Sequence, residues 1–257
     1  MTDSLETLRV DIEAGVAVIT LDQPDRRNAF DLAMTREMVA TVRSLEDDPA
    51  VGAMVVTGAP PAFCAGADLS HLEASAREGL KLIYEGFLCV SRSSLPSVAA
   101  VNGPAVGAGL NLALACDVRI AARSARFDCR FLDLGLHPGG GHTHMLQKVG
   151  GSQLAAAMVL FGERLDGEQA ARCGLAWSAV ADDELVASAR ALAARVASAP
   201  KPLVREVKAT LRDTASLPGG HDLAVERELG PQAWSLGQPF FAERLAALKA
   251  KIRKTPR

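Results

Sequence analysis

Aromatic residues are scarce in this chain. One Tyr, two Trp and eight Phe make up 4% of its 257 residues, so composition gives no sign of a site built to stack aromatic ligands. An excess of one charge is missing too: 28 basic against 30 acidic residues leave a formal charge of -2, which provides no electrostatic footprint for nucleic acid, and no stretch has zinc-finger spacing. The opening MTDSLETLRVDIE carries acidic residues where a secretory leader needs basic ones, and no run of about eighteen uncharged apolar residues occurs. These absences point to a cytoplasmic protein with neither nucleic acid nor membrane as partner. Five cysteines, Cys64, Cys89, Cys116, Cys129 and Cys173, are odd in number, widely spaced and without a C-x-x-C pair, which reads as reduced, buried thiols. What the chain does have is apolar residue, 49% of the total, enough to bury a large core in one domain plus a C-terminal extension.

Periodicity predicts alternating strands and helices followed by a helical end. Residues 8–12 and 16–21 read as strands meeting at the Glu13-Ala14-Gly15 turn, and residues 32–47 as a helix with Asp31 at its N-cap. A strand at 51–57, a glycine-rich turn, a helical region to about Ser93, a strand at 97–101 and a second glycine-rich turn repeat the theme. Residues 118–121 give another strand and 127–136 an irregular segment. Pro138 and three glycines then introduce a helix to about Val149. Beyond Leu165 the chain reads as mostly helical, at 184–199, at 202–214 and, after a Pro218-Gly-Gly break, near 240–251.

The two glycine-rich stretches carry the chemistry. FCAGADL begins at Phe63 and NGPAVGAGLNLALACD at Asn102. In each, small residues let a ligand reach the main chain, and the apolar run that follows starts a helix whose first N–H groups have no intrahelical acceptor. Two such donors aimed at one point would stabilise the oxygen of a thioester enolate by several kcal/mol. Either stretch alone also fits a tight strand-to-helix turn; the ordered pair is far more specific. Gly107-Ala108-Gly109 with Ala113 can further be written as a dinucleotide-binding turn. However, Asn102-Gly103-Pro104 separates strand from glycines, and no acidic residue ends a following strand at about twenty residues, which sets a nicotinamide or flavin site aside.

Five stretches together resemble the crotonase superfamily, the enoyl-CoA hydratase/isomerase family: PDRRNAF from Pro24, GAPPAFCAGADL from Gly58, LPSVAAVNGPAVGAGLNLALACDVRIA from Leu95, ARFDCRFLDLGLHPGGGHT from Ala125 and GERLDGEQAARCGL from Gly162. They span nearly the whole chain in the expected order. The resemblance implies an α/β fold, a crotonase-like spiral of β-β-α units with a helical C-terminal part. It further implies an acyl-CoA-binding core over residues 1–200 and a helical extension over 201–257 used for packing and oligomerisation. A homotrimer or dimer of trimers is expected, with an acyl-CoA thioester as partner. No separate cofactor or metal is implied, because coenzyme A is part of the substrate.

Carried over residue by residue, the resemblance places oxyanion-hole N–H groups on Ala67 and Ala108, the latter where the family usually has Gly. Ala65, Asp68 and Leu69 fall beside adenine and pantetheine, and Arg26, Arg27 and Ala29 at the coenzyme A entrance. An Arg there suits a pyrophosphate, since guanidinium donates two parallel hydrogen bonds, though a solvated loop fits equally. Lys249 and Lys251 can likewise reach a nucleotide phosphate or belong to a solvated face. Phe131 and Gly139 fall in the acyl pocket.

The family's hydratases flank the substrate with two glutamates, and this chain has Asn111 and Phe131 at those positions. Asn hydrogen-bonds but accepts no proton at neutral pH, and Phe does neither. Ordinary two-glutamate hydration is therefore not expected, and the single-carboxylate isomerase reaction is weakened. Replacement candidates are His137, His142, His144, Asp133 and Asp128. Among them His142 stands at a helix start where the family normally has Gly, and the helix dipole favours its neutral form. A local structural hydrogen bond is the alternative. Asp133 would share Phe131's face if the segment is extended, with a structural hydrogen bond as the favoured alternative. His142 and His144 lack a third metal ligand by spacing. Two functions follow from these residues: an acyl-CoA enzyme using the hole (a hydratase-like lyase, isomerase, decarboxylase or thioester hydrolase), with Asn111, His142 or the substrate itself supplying the rest, or a non-catalytic acyl-CoA carrier or sensor.

Overall fold

At the Glu13-Ala14-Gly15 turn the chain doubles back between β1 (Leu8–Glu13) and β2 (Val16–Leu21), with Glu13 paired to Val16. Ala14 (φ 49°) and Gly15 (φ 79°) both take left-handed backbone, the geometry that a two-residue hairpin loop requires. The computed structural model describes residues 5–68, 76–215 and 221–254. Helix α1 (Leu32–Asp47) starts where its cap dictates: the Asp31 carboxylate accepts from the Met34 N–H at 2.8 Å. Met34, Met38, Val42 and Leu45 then recur on one buried face.

The next elements are β3 (Ala53–Gly58), α2 (Ala76–Arg92), β4 (Ser97–Val101), β5 (Pro104–Val106), α3 (Ala108–Ala115), β6 (Val118–Ala122) and β7 (Arg126–Asp128). There follow α4 (His142–Leu160), β8 (Leu165–Asp166), α5 (Gly167–Arg172), β9 (Ser178–Val180) and α6 (Leu185–Ala197). Six strands form one sheet in the order β1-β2-β3-β4-β6-β9, parallel except for the first hairpin, and β5-β7-β8 form a second. Every residue of β3 and β4 is buried, as both faces of a covered parallel sheet require. Phe30, Phe63, Phe87 and Phe127 complete the core around it.

The chain divides into two compact units, Met1–Ser198 and Ala199–Arg257. The second consists of α7 (Lys201–Thr214), α8 (His221–Leu236) and α9 (Pro239–Lys254). Within it Arg227 pairs with Asp213 at 2.8 Å, and Trp234 meets Phe240 edge-on at 6.1 Å. No helix among the described residues is long and apolar enough to cross a membrane.

Four features differ from the sequence expectation. The second sheet and β9 are strands of two or three residues, too short to show a period. Helix α4 does not end near Val149 but continues to Leu160 through a kink at Gly151 (φ 77°, ψ 174°), so Gly150-Gly151 bends the helix rather than ending it. Helix α8 was not anticipated, and the Pro218-Gly-Gly break before it lies outside the described residues. Finally, Phe131 is helical rather than extended. Its carbonyl accepts from Leu134 and Leu136, closing a single 3-10 turn at Leu132–Leu134, which turns Asp133 out to an ion pair with Arg164 at 2.8 Å. Asp133 therefore does not share Phe131's face.

Candidate active site

Main-chain hydrogen bonds join the two glycine-rich stretches. Cys64 N–H donates to the Pro104 carbonyl at 3.1 Å and Val106 N–H to the Cys64 carbonyl at 3.0 Å, and Asn102 Oδ1 accepts from Gly58 N–H at 3.1 Å. Gly109 makes the seam tight: a Cβ there would stand 2.0 Å from the Cys64 carbonyl oxygen, so only glycine lets α3 approach the first loop this closely. On the outer side Asn28, left-handed at φ 57° and fully buried, donates through Nδ2 to the carbonyls of Ala59 and Ala62, both at 2.8 Å.

This clamp sets the direction of the amides. Phe30 donates to the Gly66 carbonyl and accepts from the Asp68 N–H, both at 2.7 Å, bridging the residues on either side of Ala67. In a parallel bridge of this kind Ala67's own N–H points away from Phe30. Ala108 is the first residue of α3, after Gly107 at φ 52°, and its N–H has no acceptor within the helix. The loops meet here: a Cβ on Gly66 (φ 112°) would lie 3.9 Å from the Ala108 nitrogen. Two backbone donors, one aided by a helix dipole, thus border one small region.

One turn into α3, Asn111 opens a buried chain of side chains. Its Nδ2 donates to the Gly139 carbonyl at 3.0 Å, which leaves Oδ1 as the acceptor facing His142 Nδ1 at 2.6 Å. His142 therefore carries its proton on Nδ1, and Nε2 accepts from the Cys129 thiol at 3.1 Å. Burial pushes His142 down to about 4, while burial and the neighbouring Asp128 charge push the Cys129 thiol up to about 12. All three groups are neutral at physiological pH. The histidine is neutral as expected, but burial is the cause, and both its ring nitrogens are occupied. Its exposure is only 1%. The Phe131 ring packs edge-on to His142 at 4.8 Å and lies 3.8 Å from where a Cβ on Gly107 would stand, beside the second loop.

The other predicted residues divide. Arg26 bridges Asp31, at 2.6 Å, and Asp68, so its guanidinium and the Asp68 carboxylate are spent on each other rather than presented as two free charges. Arg27 is exposed, left-handed at φ 50°, and has no carboxylate partner among the described residues. Ala29 and Ala65 are half-buried, and Arg27's carbonyl accepts from Ala65 N–H at 2.9 Å, joining the two predicted coenzyme A segments. Leu69 lies outside the described residues, as do the side chains of Lys249 and Lys251. His137 is exposed, with Nδ1 against its neighbouring Pro138 carbonyl, and His144 is exposed on α4. Asp128 is buried between Arg130 and Arg164, at 2.6 and 3.2 Å. Among the described residues no three His, Cys, Asp or Glu side chains cluster to hold a metal.

The family described as "Enoyl-CoA hydratase/isomerase" matches residues 11–236. The chain belongs to the enoyl-CoA hydratase/isomerase family. It is 54% identical over 245 residues to the "Probable enoyl-CoA hydratase EchA14" of Mycobacterium tuberculosis, covering 92% of this chain and 94% of that protein. It is 40% identical over 260 residues to a "Probable enoyl-CoA hydratase" of Rhodobacter capsulatus, covering 98% and 97%. Among solved structures, the enoyl-CoA hydratase of Bacillus anthracis superposes with a TM-score of 0.90 at 27% identity, over 96% of this chain and 97% of that one.

Three contributors within this member of the family escaped sequence reasoning. Cys129 reads as one more buried thiol until the fold sets it against His142. Asn28 was visible only as part of a loop, although Asn is among the few non-glycine residues that readily take left-handed backbone. Tyr84, the chain's single tyrosine, has no motif around it, yet a Cβ on Gly139 would fall 2.2 Å from its hydroxyl oxygen.

Proposed function

We propose that this chain binds an acyl-CoA thioester with its carbonyl oxygen between the N–H groups of Ala67 and Ala108, and stabilises the enolate formed there. The observation that carries this reading is the seam between the two loops, in which Gly66 and Gly109 bring two unspent backbone donors to adjoining positions. In the reaction such donors lower the barrier because negative charge grows on the oxygen they face. The family acts on acyl-CoA substrates, and the exposed Arg27 supplies a cation for the pyrophosphate. Ala65 and Ala29 leave room for the pantetheine arm, and Phe131 and Gly139 shape the acyl end. The reaction is a lyase or isomerase step of the family in which neither glutamate position transfers a proton, because Asn111 and Phe131 occupy them. Exposed leucines at Leu132, Leu134 and Leu136 fit assembly as a homotrimer or dimer of trimers.

Steady-state hydration of crotonyl-CoA, followed as loss of the enoyl-thioester absorbance, tests the reaction class. The expected outcome is binding with little or no hydration; robust turnover overturns the assignment of Asn111 and Phe131.

A second reading has its own observation. The chain Cys129–His142–Asn111–Gly139 is neutral and closed, with no ring nitrogen or amide left to take a proton. It favours a non-catalytic acyl-CoA carrier or sensor, which predicts tight binding to every acyl-CoA tried and conversion of none.

A further inference from the structure

Helix α3, which begins at Ala108, ends inside the protein as well as starting there: every residue from Gly109 to Ala115 is buried. The last carbonyls of a helix find no partner within it, and burial keeps these from water. Arg119, on β6, supplies donors. Its guanidinium is buried and donates through Nη1 to the carbonyls of Cys116 at 2.8 Å and Ala113 at 3.4 Å, and through Nε to the carbonyl of Leu175 at 2.7 Å. The end of α3 is thereby tied to the segment between α5 and β9. Asp117, two residues before Arg119, is hydrogen-bonded to Ser97, and among the described residues no carboxylate forms an ion pair with Arg119. A neutral amide could satisfy a carbonyl too, so the charge is what needs a reason, because taking a cation out of water without a counter-ion is costly. The helix provides that reason. Its carbonyl end is the negative pole of the dipole whose positive pole lies at Ala108, and eight residues put the two poles only about 12 Å apart.

We propose that Arg119 is a positioning residue of the thioester site: its buried cation clamps the carbonyl end of α3, which holds the Ala108 N–H in place and adds positive potential at the oxygen that this N–H faces. The proposal rests on the reading of Ala67 and Ala108 as that site. Both effects act through the helix, so Arg119 needs no contact with the ligand, and its burial shields the charge from screening by salt.

The test compares Arg119→Gln, which keeps one donor without the charge, with Arg119→Lys, which keeps the charge without the planar fork. Both should melt below wild type, as any loss of the three carbonyl contacts requires. The infrared carbonyl shift of bound 13C-labelled butyryl-CoA separates them: Arg119→Lys is expected to keep most of the wild-type shift, and Arg119→Gln to lose much of it and to bind about fivefold more weakly, the scale of one charge on a helix dipole. A full wild-type shift in a folded Arg119→Gln protein overturns the proposal and leaves the thioester site standing. So does a loss of shift in Arg119→Lys, which decides the matter alone if the Gln variant does not fold. A wild-type protein that binds the thioester without any shift overturns the site itself.

Discussion

On the proposed reading Asn111 takes the place of a proton-transferring glutamate, and its surroundings hold it in a different role. With a backbone carbonyl on one side and a histidine N–H on the other, the amide is held in a single orientation. His142 is held in turn as the Nδ1–H tautomer, and its burial has a pH signature. An unfolded histidine takes a proton near its ordinary value of about 6.5, whereas the folded one resists to about 4. The unfolded state therefore binds the proton first as pH falls, and this group withdraws stability from about pH 6.5 downward until the folded form protonates near 4, at roughly 1.4 kcal/mol per pH unit. Urea unfolding midpoints should fall between pH 7 and pH 4.5, and His142→Gln, which cannot titrate, should flatten that fall. An equally steep fall in the variant would assign the pH dependence to other groups.

At the level of elements, the site depends on two loops and a helix start held within main-chain distance. Gly109→Ala drives a methyl group into the Cys64 carbonyl and must part the loops, costing about 1–3 kcal/mol of stability as overpacking does. Acyl-CoA affinity should fall with it, and a thermal melt beside a binding titration reads both. Ala108→Val acts more narrowly: the fold is retained while the branched side chain obstructs the thioester. Unchanged acyl-CoA binding in a folded Ala108→Val protein would contradict the placement of the second donor. These loops were legible in the sequence because glycine and apolar runs announce a strand, a tight turn and a helix start. Helix α1 was legible to the residue because Asp31 caps it. Short strands such as β8 and β9 left no periodic trace, since they exist only through pairing with distant segments. The turn that carries Asp133 out to Arg164 left no trace for a related reason: an isolated 3-10 turn is set by three local carbonyl contacts, not by pattern. The partnership of Cys129, His142 and Asn111 joins three segments 13 and 31 residues apart, which no spacing rule captures.

For the molecule as a whole, the core unit leaves Leu132, Leu134, Leu136 and Phe161 exposed. Apolar exposure of this kind is commonly covered by association. Light scattering coupled to size exclusion should return a trimer or hexamer, and replacing Leu134 and Leu136 with Ser should shift the mass toward the monomer. A monomeric wild type would show that these leucines serve another purpose.

Two backbone N–H groups that grip one thioester oxygen, as proposed, should leave a vibrational signature. Infrared difference spectroscopy of butyryl-CoA carrying a 13C label at the thioester carbonyl reads it. Two hydrogen bonds should lower the carbonyl stretching frequency on binding to wild type, and Ala108→Val should abolish much of that shift. A bound thioester whose carbonyl frequency stays at its solution value in wild type would mean that the Ala67 and Ala108 N–H groups do not hold that oxygen.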